Sequence, residues 1–379
     1  MSAFVHEWND SANLGQVPEF VDETWSASAP RVLAPTAQEA LSVHLGRIEA
    51  FGVVLAAGAQ PGGTPRAWQG CEASSLPGEE LPRGTARDVR IGTSDAGPVL
   101  ETVRAWVDAG ESVGVMLSTE ELARVEFWAR LGLDRVVLEA PEGLSLADVR
   151  SAVTVARAQL PTSMQLGYRG RNDHGLGVAR ALVALESGAP LIYGTFLGVG
   201  PQGAHVPLDQ VMVNAYLAEA LGAHRNLQGL VPCLEDLAAA LDWPIPPNYP
   251  LVGRDAFRTA TGVHAAAIVK ALARGDADLA DRVYSGVPAG AFGKSQSIEL
   301  GPMSGMSNVR YWLERAGEPD DEALAEALFA RAKGSDRVLS SAEIADVIAK
   351  YRRPRLDAEA KVGGLAAAAR ESGQSRNED

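Results

Sequence analysis

Short apolar runs alternate with amphipathic stretches through the first two thirds of the chain. Seven runs rich in Val, Ile and Leu predict strands: EFVDETW (19–25), FGVVLAA (51–57), DVRIGT (88–93), SVGVMLS (112–118), DRVVLEA (134–140), MQLGYR (164–169) and PLIYGTF (190–196). Between most of them, apolar residues recur every three or four positions, as in AQEALSVHLGRIEAFG (37–52) and DVRSAVTVARAQ (148–159), which predicts helices. Strands alternating with helices are typical of an α/β fold with a parallel sheet, and we favour a closed barrel over an open sheet.

Seven strands leave such a barrel one short of eight. The stretch 58–87 is rich in Gly, Pro and Ser, as in GAQPGGTP and SSLPGEELP. We expect this stretch to hide or to replace the missing unit.

The composition changes at DWPIPPNYP (242–250), and prolines at that density mark a domain boundary. Helices are predicted beyond it, in VHAAAIVKALARG, SNVRYWLERAG, DDEALAEALFARAKG and SSAEIADVIAKYRR, the last with a capping box formed by Ser340 and Glu343. The predicted organisation is an N-terminal extension (1–18), a barrel domain (19–241), a linker (242–250), a helical subdomain (251–355) and a disordered tail (356–379).

The length, the net charge and the number of cysteines exclude several classes of protein. A chain of 379 residues suits one barrel of about 250 residues with a satellite domain. The net charge of −14 counts against binding to nucleic acid or to an anionic membrane surface. Two cysteines exclude a disulfide framework and a cysteine-rich zinc module. The start, MSAFVHEWND, has no basic or apolar leader, so we expect a soluble, cytoplasmic protein.

Several segments resemble one family. RNDHGLGVARALVALESGAPLIYGTFLGVG (171–200) resembles the H-x-H-N-D-x-G … G-T-x-x-G-I-G-E-R passage of the homocitrate synthase and 2-isopropylmalate synthase (HMG-CoA lyase-like) family. TGVHAAAIVKAL (261–272) and YSGVPAGAFGKSQSIELGPMSG (284–305) resemble its A-G-I-H helix and its I-x-L-G-x-x-S-G segment, and VDETWSASAP (21–30) occupies the place of D-T-T-L-R-[DE]-G-E-Q. The resemblance implies a (β/α)8 TIM barrel, here with one degenerate unit. It also implies a smaller helical lid domain that joins two copies into a homodimer.

The metal ligands of that family are replaced in this chain. In the family, a divalent metal is held by the acidic residue after the first-strand Arg and by both histidines of H-x-H. It polarises the carbonyl of a 2-oxo acid for attack by an acyl-CoA enolate. The resemblance places Ala27, Arg169 and Arg171 at the ligand positions and Ser26 at the position of the Arg. Because arginine has no lone pair to donate, we expect no metal cofactor at this site, and acyl-CoA would enter only as a substrate.

The loop that reads G-E-R-x-G in the family reads GPQGAH (200–205) here, so its Glu and Arg are also absent. His174 and His205 lie in loops beside glycine or alanine, and neither has a partner at ligand spacing. A displaced metal site built on these two histidines is therefore disfavoured.

Arg169 and Arg171 are two positions apart on one predicted strand, so they share a face. Two guanidinium groups there could hold a carboxylate or a phosphate and stabilise an oxyanion without metal. The alternative is that they form ion pairs with Asp173 or Glu139 and only fill the vacated site. The substrate-binding residues expected from this reasoning and from the resemblance are Arg169, Arg171, Asn172, Asp173 and Thr195.

Two residues are candidates for proton transfer. His264 could act as a general base, because an imidazole titrates near neutral pH. Its alternative is a buried structural histidine on a helix with Ala and Ile neighbours. Glu120 matches the catalytic glutamate of the resemblance, but it also fits a solvated carboxylate at a helix start after Ser118 and Thr119.

Two functions from different classes remain open. The first is a metal-independent enzyme of specialised metabolism that forms or breaks a C–C bond between an acyl thioester and a 2-oxo acid or related carboxylate. The second is a catalytically silent paralogue that binds a small acid or pairs with a true synthase. The lost ligands favour the second. The paired arginines favour the first, because simple decay more often leaves neutral residues.

Overall fold

The computed structural model describes residues 17–24, 47, 53–56, 85–90, 97–110, 112–141, 143–200, 205–219, 221, 226–319 and 321–352. The chain divides into two compact units, the first made of 1–256 with 290–294 and the second of 257–289 with 295–379. The division falls after Ala256, a few residues beyond the proline-rich stretch 242–250.

The first unit is built on parallel strands. They are β1 (Glu19–Asp22), β2 (Val53–Ala56), β3 (Thr85–Arg90), β4 (Val113–Ser118), β5 (Arg135–Glu139), β6 (Gln165–Arg169) and β7 (Leu191–Gly194). Each strand pairs in parallel with the next, and β7 pairs with β1, so the described strands close into a ring of seven. The prediction of an α/β barrel is confirmed.

The start of β3 differs from its prediction by three residues. β3 begins at Thr85 rather than Asp88, because Thr85 and Ala86 pair with the end of β2. Most of the stretch 58–87, where a missing unit was expected, lies outside the described residues, as do 91–93.

The helices of the first unit are α1 (Gly97–Asp108), α2 (Val125–Ala129), α3 (Leu146–Gln159), α4 (Gly177–Glu186), α5 (Leu208–Leu217) and α6 (Leu230–Ala240). The helix predicted at 148–159 is confirmed and begins earlier, because Ser145 and Asp148 cap each other's backbone N–H groups at 3.1 Å. Of the helix predicted at 37–52, only Arg47 is described. No helix in the described ranges is long and apolar enough to cross a membrane.

Apolar side chains fill the barrel. Val21, Met116, Val137, Leu191 and Tyr193 form one cluster, and none is more than 5% exposed. A packed interior leaves no pore through the ring, so chemistry is confined to the strand ends. Asp22, Glu139 and Arg169 are the last residues of β1, β5 and β6, and we call this C-terminal end of the ring the barrel mouth.

The second unit is mainly helical. It contains a short parallel pair, β8 (Arg258–Thr259) and β9 (Ser297–Ile298). Its helices are α7 (Gly262–Leu272), α8 (Ala277–Arg282), α9 (Met306–Arg315), α10 (Glu322–Lys333) and α11 (341–352). The predicted capping box is present, since Glu343 N donates to Ser340 Oγ at 3.3 Å and Ser340 N donates to Glu343 Oε2 at 2.9 Å. A role as a lid stays a prediction, and the predicted tail 356–379 lies outside the described residues.

Candidate functional site at the barrel mouth

The end of β1 brings two acidic residues into the protein interior. Asp22, Glu23 and Thr24 are each at most 1% exposed. Asp22 Oδ1 accepts hydrogen bonds from the backbone N and the Oγ1 of Thr24, and Thr24 Oγ1 accepts one from Phe196 N at 2.9 Å. Burial raises the pKa of Asp22 to about 7, against the lowering effect of these bonds. The loop after β7 therefore holds this acidic turn in place.

Arg169, at the end of β6, lies between two carboxylates. Its Nε is 2.9 Å from both carboxylate oxygens of Glu23, and its Nη1 is 2.5 Å from Glu139 Oε1. Glu139 lies directly beside Arg169 in the β5–β6 register. Burial alone would lower the pKa of Arg169, but the charges of Glu23 and Glu139 outweigh it and the pKa rises. The guanidinium is a permanent cation at the barrel mouth.

Arg171 is held at the rim of the mouth. Its Nε and Nη2 donate to the two carboxylate oxygens of Asp173 at 2.7 and 2.8 Å, a bidentate pair. The Arg171 side chain is 33% exposed, against 13% for Arg169. The hydrogen bond from Arg171 is the main cause that lowers the pKa of Asp173. The ion pairs with Glu139 and Asp173 are those that the alternative interpretation of the arginines expected, and anion binding by either arginine stays a prediction.

His205 joins this cluster from the loop after β7. Its backbone bridges to that of Arg171, and its Nδ1 is 4.0 Å from Glu23 Oε2. Burial, followed by the charges of Arg169 and Arg171, lowers the pKa of His205 to about 4, so the imidazole is neutral at neutral pH. Gly200 makes room for the ring, because a Cβ there would lie 2.3 Å from His205 Cδ2. A neutral imidazole can donate a hydrogen bond without a change of charge.

Asn172 and Thr195 both make hydrogen bonds to backbone groups. Asn172 Oδ1 accepts from Gly177 N at 2.8 Å at the start of α4. Thr195 Oγ1 donates to the carbonyl of Val199 at 2.8 Å, and the side chain is fully buried. In this arrangement Thr195 shapes the loop after β7, and its contact with a substrate stays a prediction.

Glu120 and His264 lie in different units. Glu120 is exposed in the turn after β4, where Ser118 is the N-cap and Glu121, not Glu120, closes the capping box. His264, on α7 of the second unit, is half-buried and stacks on Tyr284 with ring centroids 3.9 Å apart. Its Nδ1 is 3.4 Å from Thr259 Oγ1. Proton transfer by either residue stays a prediction.

The residues at the mouth do not fit the divalent metal that the resemblance implies. Guanidinium groups occupy two of the three ligand positions, and position 27 is an alanine that lies outside the described residues. Among the residues that the structure describes, no group of three His, Cys, Asp or Glu side chains could hold a metal ion.

Sequence reasoning missed two members of this cluster, Glu23 and His205. Position 23 carries Glu where the family pattern D-T-T carries Thr, so a new carboxylate accompanies the new arginine at 169. That paired departure was a signal that could have been recognised. His205 was considered only as a metal ligand, and its proximity to Glu23 depends on the path of the loop.

Comparisons with known proteins add relatives by sequence. No family model matches the chain. It is 30% identical over 164 residues to a homocitrate synthase of Pyrococcus horikoshii, covering 43% of this chain and 42% of that protein. It is 28% identical over 234 residues to the homocitrate synthase of Pyrococcus abyssi, covering 58% and 61%. The chain thus spans about half the length of the curated relatives it matches.

Two of the solved structures that match the chain are HMG-CoA lyases. One from Acinetobacter baumannii, in complex with coenzyme A and 3-methylmalate, is 14% identical with a TM-score of 0.48, covering 62% of this chain and 94% of that chain. One from Bacillus subtilis is 12% identical with a TM-score of 0.45, covering 61% and 95%. The sequence relatives are homocitrate synthases, and the motifs of both units occur in the order of that family. These relatives support the resemblance found in the sequence, and the chain is similar to homocitrate synthases at 27–30% identity over about half of its length.

Proposed function

We propose that this protein is a metal-independent enzyme of its family, which forms or breaks a C–C bond between an acyl thioester and a 2-oxo acid or a related carboxylate. The observation that carries the proposal is the Glu23–Arg169–Glu139 cluster. A cation still lies among carboxylates where the family places its metal, but here it belongs to a side chain. Loss of function alone gives no reason for a buried carboxylate and a buried guanidinium to arise together, since each is costly without the other.

The electrophilic role of the metal falls to hydrogen-bond donors of the chain. Arg171 lies at the rim, and an incoming carboxylate can take the place of Asp173 on its planar fork. The neutral imidazole of His205 can donate a hydrogen bond to a carbonyl oxygen that gains negative charge. The proposal assigns the proton transfers of the reaction to Glu120 and His264, the two candidates found in the sequence.

A second candidate is a silent paralogue that binds a small acid or partners a true synthase. It is favoured by the contacts of the two arginines, since Arg169 is bonded to two carboxylates and Arg171 to a third. In both candidates we expect a cytoplasmic homodimer formed through the second unit, and sedimentation velocity at micromolar concentration measures that assembly directly.

The deciding experiment combines metal analysis with a turnover assay on the full chain. Metal content is measured by mass spectrometry of the purified protein. Pairs of acyl-CoAs and 2-oxo acids are then screened for release of free CoA thiol, and calorimetry measures binding of each acid alone. The proposal expects far less than one metal per chain and CoA release without added metal.

Two variants localise the effect. Arg171→Ala removes the donor fork at the rim and weakens acid binding by about ten- to a hundredfold, the value of a charge-assisted hydrogen bond. Arg150→Ala is the matched control, because Arg150 pairs with Glu186 at 2.9 Å on the outer helices and is also partly exposed. Acid binding without turnover supports the silent paralogue. Stoichiometric metal overturns the metal-independent proposal. Equal acid binding by both variants overturns the role of Arg171 in binding the substrate.

A further inference from the structure

A cleft of about 400 Å³ lies in the first unit beside the barrel mouth. One wall comes from the proline-rich segment and consists of Trp243, Pro244, Pro246 and Tyr249. The sequence marked this segment only as a domain boundary. In the structure it presents two aromatic rings and two pyrrolidine rings to a single cavity, which is an apolar surface.

The opposite wall is formed by the turn after β7 and the start of α5. Leu197, Gly198 and Pro207 contribute to it. Leu197 has a φ of 58°, a left-handed conformation that is uncommon for a leucine. Such a conformation persists only where surrounding contacts hold it.

Asp209 supplies those contacts and fixes both walls. Its Oδ1 accepts a hydrogen bond from Leu197 N at 2.8 Å, and its Oδ2 accepts one from Tyr249 Oη at 2.9 Å. Asp209 is fully buried, so it lies behind the walls rather than in the cavity. The cleft is therefore preformed, and a ligand does not bear the cost of ordering its walls.

The described residues that line the cleft carry no formal charge. Its polar side chains are Asn172 and Gln210, both amides, and Tyr249, whose hydroxyl is bonded to Asp209. A charged group would lose its hydration here without gaining a partner. An apolar chain would gain about 25 cal/mol for each Å² of surface that it buries.

One residue links the cleft to the proposed substrate site. Asn172, which lines the cleft, directly follows Arg171 in the chain. This adjacency is the basis for assigning the carbon chain of an acid bound by Arg171 to the cleft. The volume lies within the range typical of small-molecule sites, about 300 to 1,000 Å³.

We propose that this cleft binds the uncharged, apolar side chain of the substrate acid and selects acids with longer chains. The inference rests on the proposed function for the position of the carboxylate, but the cleft itself is defined by its own walls. It predicts a preference for apolar side chains over small or charged ones such as that of a dicarboxylic acid.

The test measures affinity against chain length. Calorimetry on the full-length protein compares straight-chain 2-oxo acids of about four to nine carbons with methyl ketones of the same lengths, since chain length is the variable that apolar burial predicts. Each added methylene is expected to tighten binding about three- to fourfold until the cleft is full. The ketones lack the carboxylate, so they report on the cleft without the arginines.

Two variants and a control assign the effect to these walls. Trp243→Ala removes one wall and Gln210→Glu places a charge in the cavity, so both should flatten the dependence on chain length. Phe127→Ala, which truncates an aromatic ring that is 48% exposed on α2, should leave it unchanged. The second cleft variant keeps the test decisive where the first fails to fold.

The outcomes separate the two proposals. The inference is supported if affinity rises with chain length, in the acids or in the ketones, and both cleft variants abolish this rise. If the affinity of the ketones rises with chain length and the acids bind no more tightly than ketones of the same length, the cleft is supported. Carboxylate binding by the arginines is then contradicted. Affinity that does not change with length, or dependence that survives both cleft variants, overturns the inference.

Discussion

At the barrel mouth, two positions that the resemblance assigns to metal ligands hold Arg169 and Arg171. In the second unit, by contrast, the I-x-L-G-x-x-S-G segment keeps its Ser304 and Gly305. Ser304 is 1% exposed, and its Oγ accepts from Gly301 N at 2.9 Å and lies 3.0 Å from the carbonyl of Ala260. A Cβ on Gly262 would lie 2.7 Å from Gly305 N. These retained residues hold backbone segments together. Among these motif positions, the replaced residues lie at the barrel mouth and the retained ones join backbone segments in the second unit.

The largest loss of stability is expected when the Arg169 cation is removed from the barrel mouth. Arg169→Met should lower the free energy of unfolding by about 3–5 kcal/mol, because it leaves Glu23 buried without its partner. Urea denaturation at neutral pH measures it. Arg171→Ala, at the partly exposed rim, should cost less than about 1 kcal/mol.

The double variant Glu23→Gln with Arg169→Met should recover part of the lost stability, because it removes the stranded charge as well. If Arg169→Met lowers the free energy of unfolding by less than about 1 kcal/mol, Glu23 and Arg169 do not depend on each other. Breaking a buried ion pair costs more than that.

The stability of the protein should depend on pH through Asp22, at the end of β1. The pKa of Asp22 is about 7 in the folded protein against 3.8 for an unperturbed Asp, so the folded state keeps a proton that the unfolded state loses. The stability associated with that proton is present below about pH 4 and is lost as the pH rises to about 7. Asp22→Asn should therefore stabilise the protein at pH 8, by about 2–4 kcal/mol, and change little near pH 4.

Asp173→Asn should have the opposite effect and lower the stability at neutral pH. The reason is that Arg171 lowers the pKa of Asp173, so the folded protein favours the ionised carboxylate. Chemical denaturation at several pH values measures both variants. Equal effects of Asp22→Asn at pH 4 and pH 8 would show that Asp22 does not titrate in this range.

A smaller effect than that of Arg169→Met or Asp22→Asn is expected in the second unit. Ser304→Ala should cost about 1–3 kcal/mol, since the buried N–H of Gly301 and the nearby carbonyls lose a partner. Acid binding should not change. Ser341→Ala, on an exposed serine, is the control and should stay within about 0.5 kcal/mol. A loss of acid binding in Ser304→Ala with unchanged stability would assign this motif a role in the site.

The sequence indicated the barrel well because alternating apolar strands and amphipathic helices are local patterns. The β4, β5 and β6 segments lie within a residue of their predicted bounds. It also identified Arg169 and Arg171, since they replace histidines inside a recognisable motif. Their partners were harder to predict. Glu23 is 146 residues from Arg169, and only the closure of β7 onto β1 brings them together.

The cleft could not be predicted because it is formed by segments that carry no chemical motif. Trp243 and Pro246 were part of a composition change, and Leu197 directly followed the strand predicted at 190–196. Their convergence depends on Asp209, a residue in an ordinary helix start whose burial is visible only in the structure.

The Arg169 guanidinium has a consequence for how the protein depends on its surroundings. A bound ion is occupied in proportion to its free concentration, and a chelator or a competing ion can remove it. A covalently attached cation has an effective concentration set by the chain itself, so no scarcity of metal empties it. If the proposed function holds, Arg169 would replace dependence on the supply of metal by dependence on folding alone. The positive charge at the barrel mouth would then be the same in a cell without divalent metal as in one with an excess.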